Sequence, residues 1–163
     1  MSQTNSGNSP QSSGQDPRKR SHRIKPGYDE PELQYYHTEK GQRIAYRKVQ
    51  GNTINGPQIL YMNGFFASME LSKTVVIEQY ARLNGFTNVR YDPIGVGKST
   101  INDLTVQVED WLNSALAMVD HICDKDSPII IVSSSVGSWV SNMITYIKIC
   151  KLLQNFKYQL VLF

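Results

Sequence analysis

Apolar residues in this chain recur in two patterns, short strand-like runs and longer stripes with a helical period. The strand-like runs cover residues 33–38, 43–49, 58–62, 88–92 and 128–133, and segment 158–163 is a candidate for one more. The helical stripes cover about residues 72–83, 105–123 and 136–153. This alternation predicts an α/β fold with a mostly parallel sheet and right-handed crossovers, and the first two strands form an antiparallel N-terminal edge.

The same patterns predict which side chains are buried. The first helix has an apolar face formed by Val75, Val76, Gln79, Tyr80 and Leu83. The second has a stripe formed by Val108, Trp111, Leu112, Ala115, Met118, Val119 and Ile122. Segment 128–133 is the most apolar of the strands, and we predict that it is the most deeply buried.

Residues 1–31 are polar and carry a basic cluster, with almost nothing to bury. We expect a disordered tail there, followed by one domain over residues 32–163. The basic cluster is typical of a solvated tail, and we expect no nucleic-acid partner. The chain has no apolar run long enough for a membrane span and no clear targeting segment, which on its own suggests the cytoplasm. Its two cysteines are too few for a disulfide framework.

The stretch YDPIGVGKST contains Gly97-Lys98-Ser99, which matches the end of a Walker phosphate-binding loop. In G-x-x-x-x-G-K-[ST] the first glycine lets backbone N–H groups point at the phosphates. The corresponding position here is Asp92, whose carboxylate would repel them, and Pro93 removes a backbone donor. Nucleotide binding is therefore the third and weakest of our functional hypotheses.

The run IIIVSSSVGSW places three serines between a predicted strand and a predicted helix. Ser135 stands two residues before Gly137, as in the second half of the nucleophile elbow G-x-S-x-G. The positions two before and two after the nucleophile approach each other and must be small, and Ser133 takes the first of them. The spacing predicts Ser135 as the nucleophile, with the N–H of Val136 at the helix N-terminus as an oxyanion donor.

An elbow enzyme needs a second oxyanion donor from the loop after its third strand. That loop here is MNGFFASM, in which Gly64 allows a sharp turn and the N–H of Phe65 is the natural donor. Without the elbow the same loop would be an ordinary turn.

Together these segments resemble the α/β-hydrolase superfamily and, within it, the abhydrolase-domain-containing protein 10 branch. The resemblance rests on QILYMNGFFASM, IEQYARLNGF, VRYDPIGVGKS, EDWLNSALAMVD and SSSVGSW, over about residues 58–140. It implies a partial α/β-hydrolase fold and the activity of that branch, a mitochondrial palmitoyl-protein thioesterase and mycophenolic acid acyl-glucuronide esterase. The substrate would then be a small acyl ester or an S-acylated protein, with no cofactor and no metal ion.

In this superfamily the loop after the fourth strand commonly reads D-x-x-G-x-G-x-S and shapes a turn beside the active site. Asp92, Gly95, Gly97 and Ser99 match that motif position by position. The resemblance thus implies Ser135 as nucleophile, Phe65 and Val136 as oxyanion donors, and supporting roles for Ser133, Gly137, Gly64, Asp92, Gly95, Gly97 and Ser99.

A serine nucleophile needs a base, and this fold supplies an acid and then a histidine after the serine. Downstream of Ser135 the chain contains no Asp, Glu or His; its histidines are His22, His37 and His121. We therefore expect the N-terminal half of a hydrolase, truncated before the later strands, with little or no turnover. The alternative is a non-catalytic relative that acts as a binding or regulatory protein.

Overall fold

The computed structural model describes residues 27–100 and 106–155. They contain strands β1 (Gln34–His37), β2 (Arg43–Val49), β3 (Gln58–Met62), β4 (Thr87–Tyr91) and β5 (Ile129–Ser133). These strands form one sheet in the order β1-β2-β4-β3-β5. The β3 strand pairs in parallel with β4 and β5, whereas β1 with β2 and β2 with β4 are antiparallel. The predicted α/β class with an antiparallel N-terminal edge is therefore confirmed.

Helix α1 (Ser72–Leu83) connects β3 to β4, helix α2 (Val108–Ala117) lies between β4 and β5, and helix α3 (Val136–Asn155) follows β5. The α2 helix begins later than predicted because the Asp110 carboxylate accepts a 2.9 Å hydrogen bond from the N–H of Gln107 and caps the helix there. It continues as a π-helical turn, Met118–Ile122. The candidate strand 158–163 lies outside the described residues. No helix within residues 27–100 and 106–155 is long and apolar enough to cross a bilayer.

The hydrophobic core lies between the sheet and the α2–α3 pair. Alternate residues of β3 and β4 point into it, among them Leu60, Met62, Val89 and Tyr91. From the helices it receives Trp111, Ala115, Met118, Val140 and Ile144. Every residue of β3 and β4 is buried, as expected for central strands with helices on both faces.

The α1 helix covers the opposite face of the sheet, and its predicted apolar face is wrong. The buried residues of α1 are Thr74, Val75, Glu78 and Ala81. Val76, Tyr80 and Leu83 are exposed. The helix is rotated because β4 presents a fully buried arginine, Arg90, whose Nε donates a 2.7 Å hydrogen bond to Glu78. A buried guanidinium needs a paired carboxylate, and this need outweighs the burial of three apolar side chains.

Further polar groups close this buried pair. The Arg90 guanidinium also donates to the carbonyl of Met69 at 2.7 Å and to the Tyr28 hydroxyl at 2.9 Å. The Tyr28 hydroxyl in turn donates to Glu78 at 2.9 Å. Burial raises the pKa of Tyr28 and keeps the phenol protonated for this contact. Most of the predicted tail, residues 1–31, falls outside the described residues, but its last part from Gly27 runs along the domain here.

The predicted burial of strand 128–133 is also wrong. Within the described part of the chain, β5 pairs with β3 alone and forms an edge of the sheet. Its residues are only partly buried, and Ile130 is 44% exposed. An apolar run predicts a strand, but the position of that strand in the sheet depends on its neighbours.

Replacing Glu78 with Ala leaves the Arg90 guanidinium buried without its closest carboxylate. We expect the free energy of unfolding, measured by urea denaturation, to fall by about 3–5 kcal/mol. Glu109→Ala removes an exposed glutamate from the first turn of α2 and should cost less than about 1 kcal/mol. Equal losses in the two variants would show that the buried pair does not anchor α1.

Candidate active site

Ser135 lies between the last residue of β5 and the first residue of α3 and is exposed. Its φ angle is 54°, in the left-handed region that a non-glycine residue occupies only at a cost of about 1–3 kcal/mol. Hydrogen bonds on both sides hold this conformation. Ser134 N–H donates to the Met62 carbonyl at 3.2 Å, and Ser138 N–H donates to the Ser135 carbonyl at 2.8 Å. The turn thus presents the serine side chain above the carboxyl end of the sheet.

Gly137 lets α3 start directly against the end of β3. A β-carbon at this position would lie 2.4 Å from the Asn63 carbonyl oxygen and 2.5 Å from that of Met62. Position 137 therefore needs a glycine because the backbone at the end of β3 lies directly against it. Ser133 stands where the elbow motif has a glycine. Its hydroxyl donates a 3.2 Å hydrogen bond to the Ser138 hydroxyl and so stabilises the first turn of α3.

The loop after β3 reaches the same point from the other side. A β-carbon at Gly64 would lie 3.2 Å from the Cβ of Ser135, so this loop and the elbow are in contact. Asn63 anchors the loop, because its side-chain oxygen accepts a 3.3 Å hydrogen bond from the Thr74 hydroxyl. The backbone N–H groups of Phe65 and Val136 have no acceptor among the described residues. Both are therefore available to an acceptor from outside the described residues.

Asp92, at the end of β4, is fully buried and ties two loops together. Its carboxylate accepts a 2.6 Å hydrogen bond from Met69 N–H and a 2.8 Å hydrogen bond from Lys98 N–H. Burial raises the pKa of Asp92, and the two N–H donors oppose that rise. Gly97 adopts φ 54° directly over the carboxylate, and a β-carbon there would lie 2.1 Å from an Asp92 oxygen.

Ser99 closes the turn that begins at Asp92. Its hydroxyl donates to the Asp92 carbonyl and accepts a 2.8 Å hydrogen bond from Ala45 N–H in β2. Gly95 adopts φ 83°, and its N–H donates to the Thr100 carbonyl at 2.9 Å. A carboxylate therefore occupies the space that a phosphate would need in a Walker loop, and the exposed side chain of Lys98 has no part in the turn.

Sequence reasoning missed two features beside Ser135. The Lys73 ammonium, in the first turn of α1, donates a 3.0 Å hydrogen bond to the Ser134 hydroxyl. A cation there opposes the helix dipole, and that misplaced charge was a readable signal. Phe66 is the second feature, because it adopts φ 47° and its exposed ring stands beside that of Phe65.

Neither described histidine lies near Ser135. His37 belongs to β1, four strand positions away from β5 and so about 19 Å across the sheet. The ring of His121 stacks on Tyr36 of the same edge strand, with 5.0 Å between centroids. Both histidines therefore lie at the β1 edge of the sheet, away from Ser135, and His22 lies outside the described residues.

Asp92→Asn should loosen the contact between the two loops, because an amide offers one acceptor oxygen where the carboxylate offers two. We expect the free energy of unfolding to fall by about 1–3 kcal/mol, the cost of leaving a buried N–H unpaired. Asp126→Asn, at an exposed position, is the matched control. An Asp92→Asn variant as stable as this control would contradict a structural role for the carboxylate.

The pH dependence of that effect follows from burial, which raises the pKa of Asp92 above its ordinary 3.8. The folded state then binds the proton more tightly than the unfolded state does, so the linked stability is present below 3.8 and lost as pH rises through the folded pKa. The difference in unfolding free energy between wild type and Asp92→Asn should therefore narrow as the pH rises above 3.8 and through the folded pKa. A difference that widens would mean that the two N–H donors outweigh burial.

No protein-family model matches the chain. Rat palmitoyl-protein thioesterase ABHD10, mitochondrial, is 32% identical over 97 residues, which are 60% of this chain and 31% of that protein. The solved structure of mouse alpha/beta hydrolase domain-containing protein 10 is 26% identical, with a TM-score of 0.66 over 72% of this chain and 45% of that one. Est1E from Butyrivibrio proteoclasticus, with ferulic acid bound, is 21% identical and has a TM-score of 0.62 over 71% of this chain and 47% of that one, which shows the fold alone.

The chain thus spans about a third of the length of the curated relative and under half of either solved structure. The sequence match with the rat relative and the structural match with the mouse protein identify the same superfamily. The chain is therefore a relative within the α/β-hydrolase superfamily and carries part of its fold.

Proposed function

We propose that this chain carries the nucleophile half of a serine hydrolase that acts on acyl thioesters or carboxylic esters. One observation carries the proposal: exposed Ser135 is held at φ 54° where β5 meets α3, in contact with the loop that follows β3. Strain in a non-glycine residue persists where the surrounding structure fixes it, and such residues cluster at active sites.

The proposed chemistry begins with attack of the Ser135 hydroxyl oxygen on the substrate carbonyl carbon. The hydroxyl proton passes to a base, and the carbonyl oxygen becomes an oxyanion that accepts hydrogen bonds from the N–H groups of Phe65 and Val136. The tetrahedral intermediate then expels the alcohol or thiol, which takes up the proton, and leaves an acyl ester on Ser135. Attack by water on that ester releases the acid and restores the serine.

The base is the part of this scheme that the 163 residues do not supply. Between Ser135 and Phe163 there is no Asp, Glu or His, and the described histidines lie at the far edge of the sheet. Loss of the base in a triad enzyme lowers turnover by about a million-fold. The 163-residue polypeptide alone should therefore turn over substrate very slowly.

The substrate class and the compartment are proposed from the relatives. The rat relative is named as a mitochondrial palmitoyl-protein thioesterase. A small acyl ester or an S-acylated protein is the substrate that we propose here, and the mitochondrion is the compartment. Lys73 and the N-termini of α1 and α3 place positive charge around Ser135, which suits a reaction that develops an oxyanion.

A second candidate function is a non-catalytic protein that binds acyl compounds or a partner on the same surface. Such a function needs no acid and no histidine after Ser135, and the 163 residues contain neither there. Nucleotide binding is not supported, because the Asp92 carboxylate occupies the interior of the Gly97–Ser99 turn.

External imidazole can test the nucleophile without a protein base. We expect a fluorophosphonate probe to label the 163-residue chain slowly and at a rate that rises with imidazole concentration, because imidazole accepts the serine proton. Peptide mass spectrometry should locate the label on Ser135. Ser135→Ala should lose the labelling, whereas Ser134→Ala is the matched control and should keep it.

The outcome separates the two candidate functions. Labelling that persists in Ser135→Ala would overturn the nucleophile assignment. A wild-type chain that folds but stays unlabelled at every imidazole concentration would leave the non-catalytic binding protein as the better account.

A further inference from the structure

Two adjacent phenylalanines present large apolar surfaces to solvent. Phe65 is 66% exposed and Phe66 is 62% exposed, and their rings meet edge to face with 4.4 Å between centroids. Both phenyl rings also pack edge to face against the indole ring of Trp111, with centroid distances of 5.4 and 6.1 Å. We call the two phenyl rings and the indole beneath them the aromatic shelf.

The aromatic shelf borders the nucleophile. Gly64, which precedes Phe65, approaches Ser135 so closely that a β-carbon on it would lie 3.2 Å from the serine Cβ. On another side of the elbow, the Lys73 ammonium donates to the Ser134 hydroxyl. The elbow therefore has an ammonium ion and an apolar aromatic surface among its neighbours. Of these two, only the aromatic surface can receive a hydrocarbon chain without stripping water from a charge.

The aromatic shelf is also held in place before any ligand arrives. Trp111 is only 6% exposed, and its indole N–H donates a 3.0 Å hydrogen bond to the Ile94 carbonyl. Phe66 adopts φ 47°, which a phenylalanine rarely adopts and which turns its ring outward beside Phe65. A strained backbone that exposes an apolar ring works against folding and is typical of a binding surface.

We propose that the aromatic shelf binds the straight hydrocarbon chain of the acyl group whose carbonyl Ser135 attacks. This inference rests on the proposed function and adds the residues that select the acyl group. The surface is apolar and open, so each methylene that contacts it adds up to about fourfold in affinity. The selection should therefore follow chain length and not the leaving group.

Trp111 itself reports on binding. Trp139→Phe leaves Trp111 as the single tryptophan of the full chain, which has two. Straight-chain fatty acids with a terminal bromine, of about four, eight and twelve carbons, serve as probes because bromine quenches indole fluorescence on contact. We expect saturable quenching by the two longer probes, with affinity that rises with length, and little quenching by the shortest.

Two substitutions remove the aromatic shelf and leave the backbone donor intact. Phe65→Ala keeps the N–H that is proposed to hold the oxyanion, and Phe66→Gly accepts the φ angle of 47° without strain. Together they should weaken binding of the longest probe by at least about tenfold, since several methylenes lose contact. The melting temperature of Phe66→Gly should stay the same or rise. Tyr80→Ala, at a 56% exposed tyrosine on α1, is the matched control and should bind as wild type does.

Labelling and quenching distinguish the two proposals. Ser135→Ala should quench as wild type does, because binding of the chain does not need the hydroxyl. Labelling at Ser135 without quenching would overturn the aromatic shelf and keep the hydrolase; quenching without labelling would do the reverse. Quenching that survives in the double variant would place the chain elsewhere. Unchanged binding with an altered elution volume on size exclusion would make the surface a contact between two copies, which also overturns the proposal.

Discussion

The candidate site depends on one buried carboxylate. Asp92 sits at the carboxyl end of β4 and accepts N–H groups from two separate loops, those of Met69 and Lys98. A single side chain therefore fixes the loop that carries Phe65 relative to the turn that follows β4. Burial makes the charged form costly, and the two short hydrogen bonds offset part of that cost. Without this contact the loop after β3 would lose its hydrogen-bonded link to the turn that follows β4.

Close backbone contacts at three glycines also position the candidate site. Glycine at 97 and 137 lets chain segments approach Asp92 and the end of β3 to distances that a β-carbon would block. A β-carbon at Gly64 would crowd Ser135. All three contacts lie at the carboxyl ends of the parallel strands β3, β4 and β5, where open α/β sheets bind their ligands. The position of Ser135 is therefore a consequence of sheet topology as well as of its own motif.

The sequence was informative where a pattern has a single physical meaning. Strand β3 and helix α1 were predicted at their observed bounds, because turn residues delimit both the short apolar run and the longer helical segment. The buried face of α1 was not predictable from hydrophobicity, since Glu78 and Thr74 are polar and are buried only because Arg90 of β4 lies opposite. The edge position of β5 could not be predicted either. The apolar content of a strand indicates that it is buried but does not indicate which strands pair with it.

Spacing between chemically specific residues predicted the neighbourhood of Ser135, whereas Lys73 and Phe66 escaped because their roles depend on backbone geometry. Three described non-glycine residues have positive φ angles: Asn55, Phe66 and Ser135. Asn55 needs no special account, since asparagine tolerates this region. Phe66 follows Gly64 by two residues along the chain, and Ser135 lies against Gly64 in space, where the loop after β3 meets the elbow. Strain is thus concentrated at one spot and is held there by Asp92 beneath one loop and Trp111 beneath the rings. A fold selected for stability alone would relax these two residues, and strain of this kind clusters at functional sites.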